Sequence, residues 1–196
     1  MASDPKADLH RYLRAAREAL LWKLDGVSEY DARRPLTPTG TNLLGLVKHL
    51  ATTEHGYFGG CMGREFPEVL PWVAGIEDGS DPNADMFATA DESREDVLAL
   101  YARVAEFADG VISELPLDAP GVVPWWPEER KYVTLQLLLV HMIAETNRHA
   151  GHADILREGL DGMAGLREGN SNLPEQDWAE YREKLERVAK EASGRA

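Results

Sequence analysis

The chain has 196 residues and a mass of 21.8 kDa, enough for one domain or at most two small ones, and long enough to bury a substantial apolar core. Hydrophobic residues make up 43% and charged residues 28%, which excludes intrinsic disorder of the whole sequence. The formal charge of −13 repels phosphate backbones and anionic lipids, so we expect neither nucleic acid nor a membrane as a partner.

Apolar residues recur at helical spacing in the first half of the chain. The first helix is predicted from Leu9 to Leu24. Thr41 or Asn42 provides an N-cap for a second helix from about Leu43 to about Gly59. Residues 60–90 carry Gly, Pro, Asp and Asn at short intervals, which predicts a long irregular connection of the kind that often borders a site.

The second half of the chain predicts three more helices. One runs from about Asp91 to Leu115, where Pro116 stops it. After a loop over Asp118–Arg130, a long helix extends from Val133 to about Glu158, and a charged helix covers Glu175–Ala192.

No strand pattern or repeat stands out. We therefore predict a single all-α domain over residues 1–196, with a helical bundle at about 7–160 and a helical extension at about 170–196.

The expected compartment is the cytoplasm. The start Met1-Ala2-Ser3 lacks the layout of a signal peptide, and no apolar run reaches the roughly 18 to 20 residues that span a bilayer. The single cysteine, Cys61, excludes an internal disulfide and has no histidine motif near it, so we interpret it as incidental.

One face of the fourth predicted helix carries several polar groups. At about 100° per residue, His152, Glu145 and His149 lie about 20°, 40° and 80° from His141, on the face predicted to enter the core. A buried carboxylate must be paired, protonated or bound to a metal, and a buried imidazole must satisfy two nitrogens. This face is therefore the strongest chemical feature of the sequence.

Glu145 and His149 stand at positions i and i+4, a spacing that lets two side chains of one helix hold one metal ion. His49 on the second helix shares its face with apolar residues and is a candidate third ligand that leaves coordination positions open. His141 and His152 compete as general base, substitute ligand or partner of a ligand. The alternative is a metal-free bundle in which these groups hydrogen-bond to one another.

Aromatic and basic residues supply further candidates for substrate contacts. Tyr57 lies two turns beyond His49 and could donate a hydrogen bond to a bound ligand. Trp125 and Trp126 either form a substrate wall or cover the end of the core. The arginines that either hold a carboxylate or form surface ion pairs are Arg130, Arg148 and Arg157.

Two segments carry a family resemblance, Asn42-Leu43-Leu44-Gly45-Leu46-Val47-Lys48-His49-Leu50 and the run from His141 to Glu158 that includes Glu145-Thr146-Asn147-Arg148-His149-Ala150-Gly151-His152. They resemble the signature segments of the DinB-like metal-binding four-helix bundles. The resemblance reaches from the first predicted helix through the fourth.

This resemblance implies an up-down-down-up four-helix bundle, here with long loops and an extra C-terminal helix. It also implies a divalent metal, zinc or nickel in many members, with His49, Glu145 and His149 at the ligand positions. Many members have histidine where this chain has Glu145, and the glutamate resembles the branch of the mycothiol-dependent maleylpyruvate isomerase and mycothiol S-transferases. The extra negative charge should make the bound metal a weaker Lewis acid.

The expected function is metal-dependent transfer of a low-molecular-weight thiol, mycothiol or a similar one, to a small electrophile. A thiol-dependent isomerase and a non-catalytic metal-binding or regulatory bundle are the alternatives. The expected partners are the thiol and the electrophile, and a homodimer is expected because helical bundles often pair.

Overall fold

The computed structural model describes residues 4–194. The start Met1-Ala2-Ser3 and the predicted domain limits at 1 and 196 lie outside the described residues. Within them the chain is mostly helical, which confirms the predicted helical class at that level. The α-helices are α1 (Pro5–Trp22), α2 (Glu29–Arg33), α3 (Leu43–Glu54), α4 (Val73–Glu77), α5 (Arg94–Glu114), α6 (Leu135–Asp161) and α7 (Trp178–Ala192).

A short antiparallel hairpin precedes α6. Strand β1 (Pro120–Val122) pairs with β2 (Tyr132–Thr134). The sequence predicted no strand, because three residues are too few to show an alternating pattern. The hairpin moves the start of the long helix from the predicted Val133 to Leu135, where the side chain of Thr134 caps it.

The core is built where four long helices meet. Helix α1 packs along α6, α3 packs along α5, and α3 also contacts α6. Their contact faces bury aliphatic side chains completely, as at Leu13, Leu50, Val104 and Leu138. The contact between α3 and α6 brings the two predicted ligand-bearing helices together.

Helix α3 changes its winding at its C-terminal end. It begins after Asn42, whose Oδ1 accepts a hydrogen bond from the Gly45 amide at 2.7 Å. After Glu54 the chain continues as a π-helical turn, His55–Gly59, so the predicted end near Gly59 holds but the last turn is wider than an α-helix. This wider turn contains Tyr57.

Helix α7 has no buried residue. The apolar residues at helical spacing along it are solvent-exposed, from 39% at Tyr181 to 51% at Val188, with Trp178 and Leu185 between these values. Within residues 4–194, no helix combines the length and the apolar character needed to cross a membrane.

Candidate metal centre

Three predicted ligands from two helices converge at the contact between α3 and α6. One ligand atom from each of His49, Glu145 and His149 lies within 4.8 Å of the others. Glu145 Oε1 lies 2.9 Å from His149 Nε2 and 3.8 Å from His49 Nε2. The helical spacing within α6 and the packing of α3 against it therefore produce the trio.

The protonation of Glu145 and of His149 depends on their surroundings. Burial lowers the pKa of His149, and the neighbouring His49 lowers it further. Burial would raise the pKa of Glu145, but its hydrogen bond to His149 and the nearby His49 reverse that and leave this pKa below its ordinary value. A neutral imidazole beside an ionised carboxylate is the state in which both can donate electron pairs to a cation.

The geometry fits a divalent cation better than it fits a closed hydrogen-bond network. Glu145 Oε1 lies 3.8 Å from His49 Nε2, too far for a hydrogen bond, so without a cation the three side chains do not close a network among themselves. Two imidazole nitrogens and one carboxylate oxygen are ligands that zinc and nickel accept. Zinc holds such ligands at about 2 Å, which places them roughly 3 to 4 Å apart, close to the observed spacing.

An aspartate that the sequence did not predict completes the surroundings of His49. Asp85 Oδ2 lies 2.8 Å from His49 Nδ1, and the aspartate side chain is only 8% exposed. Asp85 belongs to the predicted long connection, 60–90, whose irregular chain has no periodicity from which its facing could be read. The expectation that this connection borders the predicted site is nevertheless consistent with its position.

A second cluster joins Tyr57 to α6, one turn before Glu145. Trp126 Nε1 donates to Tyr57 Oη at 3.2 Å, and Tyr57 Oη lies 3.1 Å from His141 Nε2. Because an indole nitrogen only donates, the phenol hydrogen stays free to donate to His141. Burial lowers the pKa of His141, which favours the neutral ring that can accept this bond. Tyr57 thus binds protein groups, where the sequence suggested a bound ligand.

The two tryptophans occupy different environments. Trp126 is half-buried and packs its ring against His141, as expected of an aromatic residue that covers the core. Trp125 is 59% exposed and rests on Tyr57, with a ring-centroid distance of 5.4 Å. Trp125 is therefore the residue of this pair that is open to a substrate.

Two expectations for α6 are wrong. His152 does not enter the core; its side chain is exposed, with its ring 5.4 Å from that of His149. Arg157 is not part of a surface ion pair, because it is 2% exposed and binds Asp161 and the carbonyl oxygens that end α1. Arg148 and Arg130 are exposed.

A sequence profile described as mycothiol-S-transferase matches residues 8–162. The chain belongs to the mycothiol-S-transferase family. The match covers more than three quarters of the sequence and includes all three predicted ligands. It confirms the resemblance to the mycothiol-dependent branch of the DinB-like proteins, and it ends before α7. None of the curated proteins matches the chain.

Proposed function

We propose that this member of the mycothiol-S-transferase family transfers a low-molecular-weight thiol, mycothiol or a similar one, to a small electrophile at a divalent metal. The proposed ligands are His49, Glu145 and His149, and zinc or nickel is the proposed metal. The observation that carries the proposal is the convergence of these three side chains within 4.8 Å, inside the segment that matches the family. The proposed partners are the thiol and the electrophile.

The ligand set supports a catalytic role over a purely structural one. Three protein ligands leave coordination positions open, whereas structural zinc sites use four. A divalent cation bound there would lower the pKa of a thiol and so supply the thiolate, the actual nucleophile, at neutral pH. Glu145 contributes a negative charge that balances part of the charge of the cation.

The residues around the trio give each side of the proposed site a distinct chemistry. Tyr57 donates a hydrogen bond to His141, one helical turn from Glu145. The exposed indole of Trp125 offers an apolar surface on the Tyr57 side of the site. We assign the exposed indole to the electrophile and the trio to the thiol.

The wider arrangement is part of the same proposal. The pairings of α1 with α6, of α3 with α5 and of α3 with α6 support the up-down-down-up bundle expected of the family. In this proposal the chain is one domain and α7 is an extension of it. The expected homodimer stays a prediction that analytical ultracentrifugation would test.

The test measures thiol consumption with mycothiol and 1-chloro-2,4-dinitrobenzene. In this reaction a sulfur–carbon bond forms, chloride leaves and the thiol proton is released. We expect the protein loaded with zinc or nickel to accelerate the reaction, and His149→Ala to lower the rate about 100-fold or more, because a metal ligand is lost. The control is Asp81→Asn, which changes an exposed side chain that has no role in the proposed site and should therefore keep the full rate.

The outcome also separates the alternatives. Rearrangement of an unsaturated acid that requires the thiol but does not consume it would favour the isomerase. Tight metal binding with no thiol-dependent turnover would contradict the proposed transfer and favour a metal-binding or regulatory bundle.

A further inference from the structure

We propose that Asp85 is a positioning residue that fixes the orientation of His49 for metal binding, and that it couples metal binding to the docking of residues 84–92. This inference rests on the proposed metal site. It concerns a residue on an irregular connection, outside both helices that supply the proposed ligands.

The contact determines which nitrogen of His49 is available. A carboxylate only accepts hydrogen bonds, so the 2.8 Å contact requires the hydrogen of His49 to sit on Nδ1. The lone pair then lies on Nε2, the nitrogen that faces Glu145 at 3.8 Å. A ligand histidine whose second nitrogen donates to a carboxylate is held in one tautomer and one ring orientation, and becomes a stronger ligand.

Helix α3 itself holds Asp85 in place. Asn42 Nδ2 donates to the carbonyl oxygen of Met86 at 3.1 Å, and Lys48 Nζ donates to the carbonyl oxygen of Phe87 at the same distance. Lys48 also pairs with Glu92 at 2.9 Å. Both anchors therefore lie on the helix that carries His49, so the aspartate and the histidine are positioned by one element.

The close approach of this connection depends on a glycine. A Cβ atom on Gly45 would lie 1.9 Å from the carbonyl oxygen of Met86, which is an impossible contact. Gly45 stands one turn before His49 on α3. The backbone next to Asp85 can therefore rest directly on the helix, and the aspartate reaches the imidazole from there.

Coupling follows from thermodynamic reciprocity. If the bond from His49 to Asp85 strengthens metal binding, then metal binding must stabilise the docked position of Asp85 by the same factor. A bound cation should therefore slow hydrogen exchange in residues 84–92. A purely structural role of Asp85 would give no such dependence on metal.

The first measurement is the affinity of the full chain for Zn²⁺, by competition with a chromophoric chelator. We expect Asp85→Ala to weaken binding by about 10- to 100-fold, the range seen when such outer partners are removed. Asp85→Asn, which keeps an acceptor oxygen but loses the charge, should fall between Asp85→Ala and the parent. Asp81→Asn removes the same charge from an exposed position of the same connection and should change the affinity less than about twofold.

The second measurement is hydrogen exchange of residues 84–92 with and without Zn²⁺. We expect protection by the metal in the parent and its loss in Asp85→Ala, with circular dichroism showing that the variant is folded. Equal Zn²⁺ affinity of the parent and Asp85→Ala would overturn the inference and leave the metal site standing. A parent chain that binds no Zn²⁺ would overturn both.

Discussion

At the scale of single residues, burial decides which side chains can react. His141 lies one helical turn before Glu145 and Cys61 follows the π-helical turn that contains Tyr57, and burial shifts their pKa values in opposite directions. Burial lowers the pKa of His141 and keeps it neutral, whereas it raises the pKa of the Cys61 thiol to about 11. The first group stays available as a proton acceptor, and the second is held as an inert thiol.

Cys61 should therefore be unreactive in the folded chain. Its side chain is 3% exposed, so a reagent cannot easily reach the sulfur, and the thiol is almost fully protonated at neutral pH, so very little of the reactive thiolate is present. We expect Ellman's reagent to label it very slowly in the native protein and to label about one thiol per chain after unfolding in guanidinium. Fast native labelling would show that the interpretation of Cys61 as incidental is wrong.

The protonation of His141 should depend on Tyr57. Burial lowers the pKa of His141, and the hydrogen bond that the phenol donates to Nε2 should stabilise the neutral ring further, so Tyr57→Phe should raise this pKa part of the way toward its ordinary 6.5. Because this pKa is depressed in the folded chain, His141 contributes stability above pH 6.5, which is lost as the pH falls. Titration of the ring protons by NMR measures the change, and an unchanged pKa would contradict the assigned hydrogen bond.

At the scale of elements, the end of α3 is held by a buried ion pair. Arg17 of α1 binds both carboxylate oxygens of Glu54, at 3.0 and 2.6 Å, and the hydroxyl of Tyr101 donates to the same carboxylate at 3.1 Å. Glu54 is fully buried and is the residue directly before the π-helical turn. The pair thus fixes the point from which Tyr57 is presented to His141.

Glu54→Gln should destabilise the protein strongly. It leaves the buried guanidinium of Arg17 without its main counter-charge, which costs about 3 kcal/mol in the free energy of unfolding. Urea denaturation measures the loss. The matched control is Glu68→Gln, which breaks an exposed pair with Arg103 and should leave the denaturation midpoint nearly unchanged. Equal effects of the two changes would contradict a special role for the buried pair.

The buried faces of α5 and α6 show how accurately the sequence pattern predicts which side of a helix enters the core. One strong apolar stripe predicts the helix of the α5 region, and all of its residues but Phe107 are buried: Val97, Leu100, Tyr101, Val104, Ala108, Val111 and Ile112. On α6 the centre of the buried face is rotated by about 60° about the helix axis from its predicted position, because Thr146, Ala150 and Arg157 are also buried. Small and polar residues contribute little to an apolar pattern, so the side-chain directions calculated from the sequence placed His152 inside the core. Glu145 and His149 stayed close enough to the true face to be found.

One contact of the proposed site and the buried ion pair at the end of α3 depend on tertiary contacts that no local pattern encodes. Asp85 reaches His49 only because its connection is anchored to α3, and Arg17 is buried only because Glu54 faces it from another helix. Periodicity places Arg17 between apolar positions, where a solvated charge is the usual outcome.

At the scale of the whole molecule, we expect the part that matches the family to be separable from the C-terminal helix. The family match ends at residue 162, and α7 buries none of its residues. Gly165, between them, accepts a hydrogen bond from the buried Lys23 and belongs with the core. We therefore expect a C-terminal extension, if it is separable, to begin after this contact.

Truncation after Asn172 should leave both the fold and the metal content intact. The shortened chain keeps the contact of Lys23 with Gly165 and loses only exposed surface from α7. We expect its thermal midpoint to stay within about 3 °C of the full chain, since little apolar area is removed from the core. A much larger drop, or loss of bound metal, would show that α7 supports the domain.

The most direct test of the account is the metal content of gently purified protein, measured by elemental mass spectrometry for the parent and single variants. We predict about one equivalent of zinc, nickel or a similar ion in the parent, and its loss in His49→Ala, Glu145→Ala and His149→Ala. The control is His152→Ala on the exposed side of α6, which should keep the metal. A parent that holds no metal even after reconstitution, or ligand variants that retain it, would contradict the proposed centre.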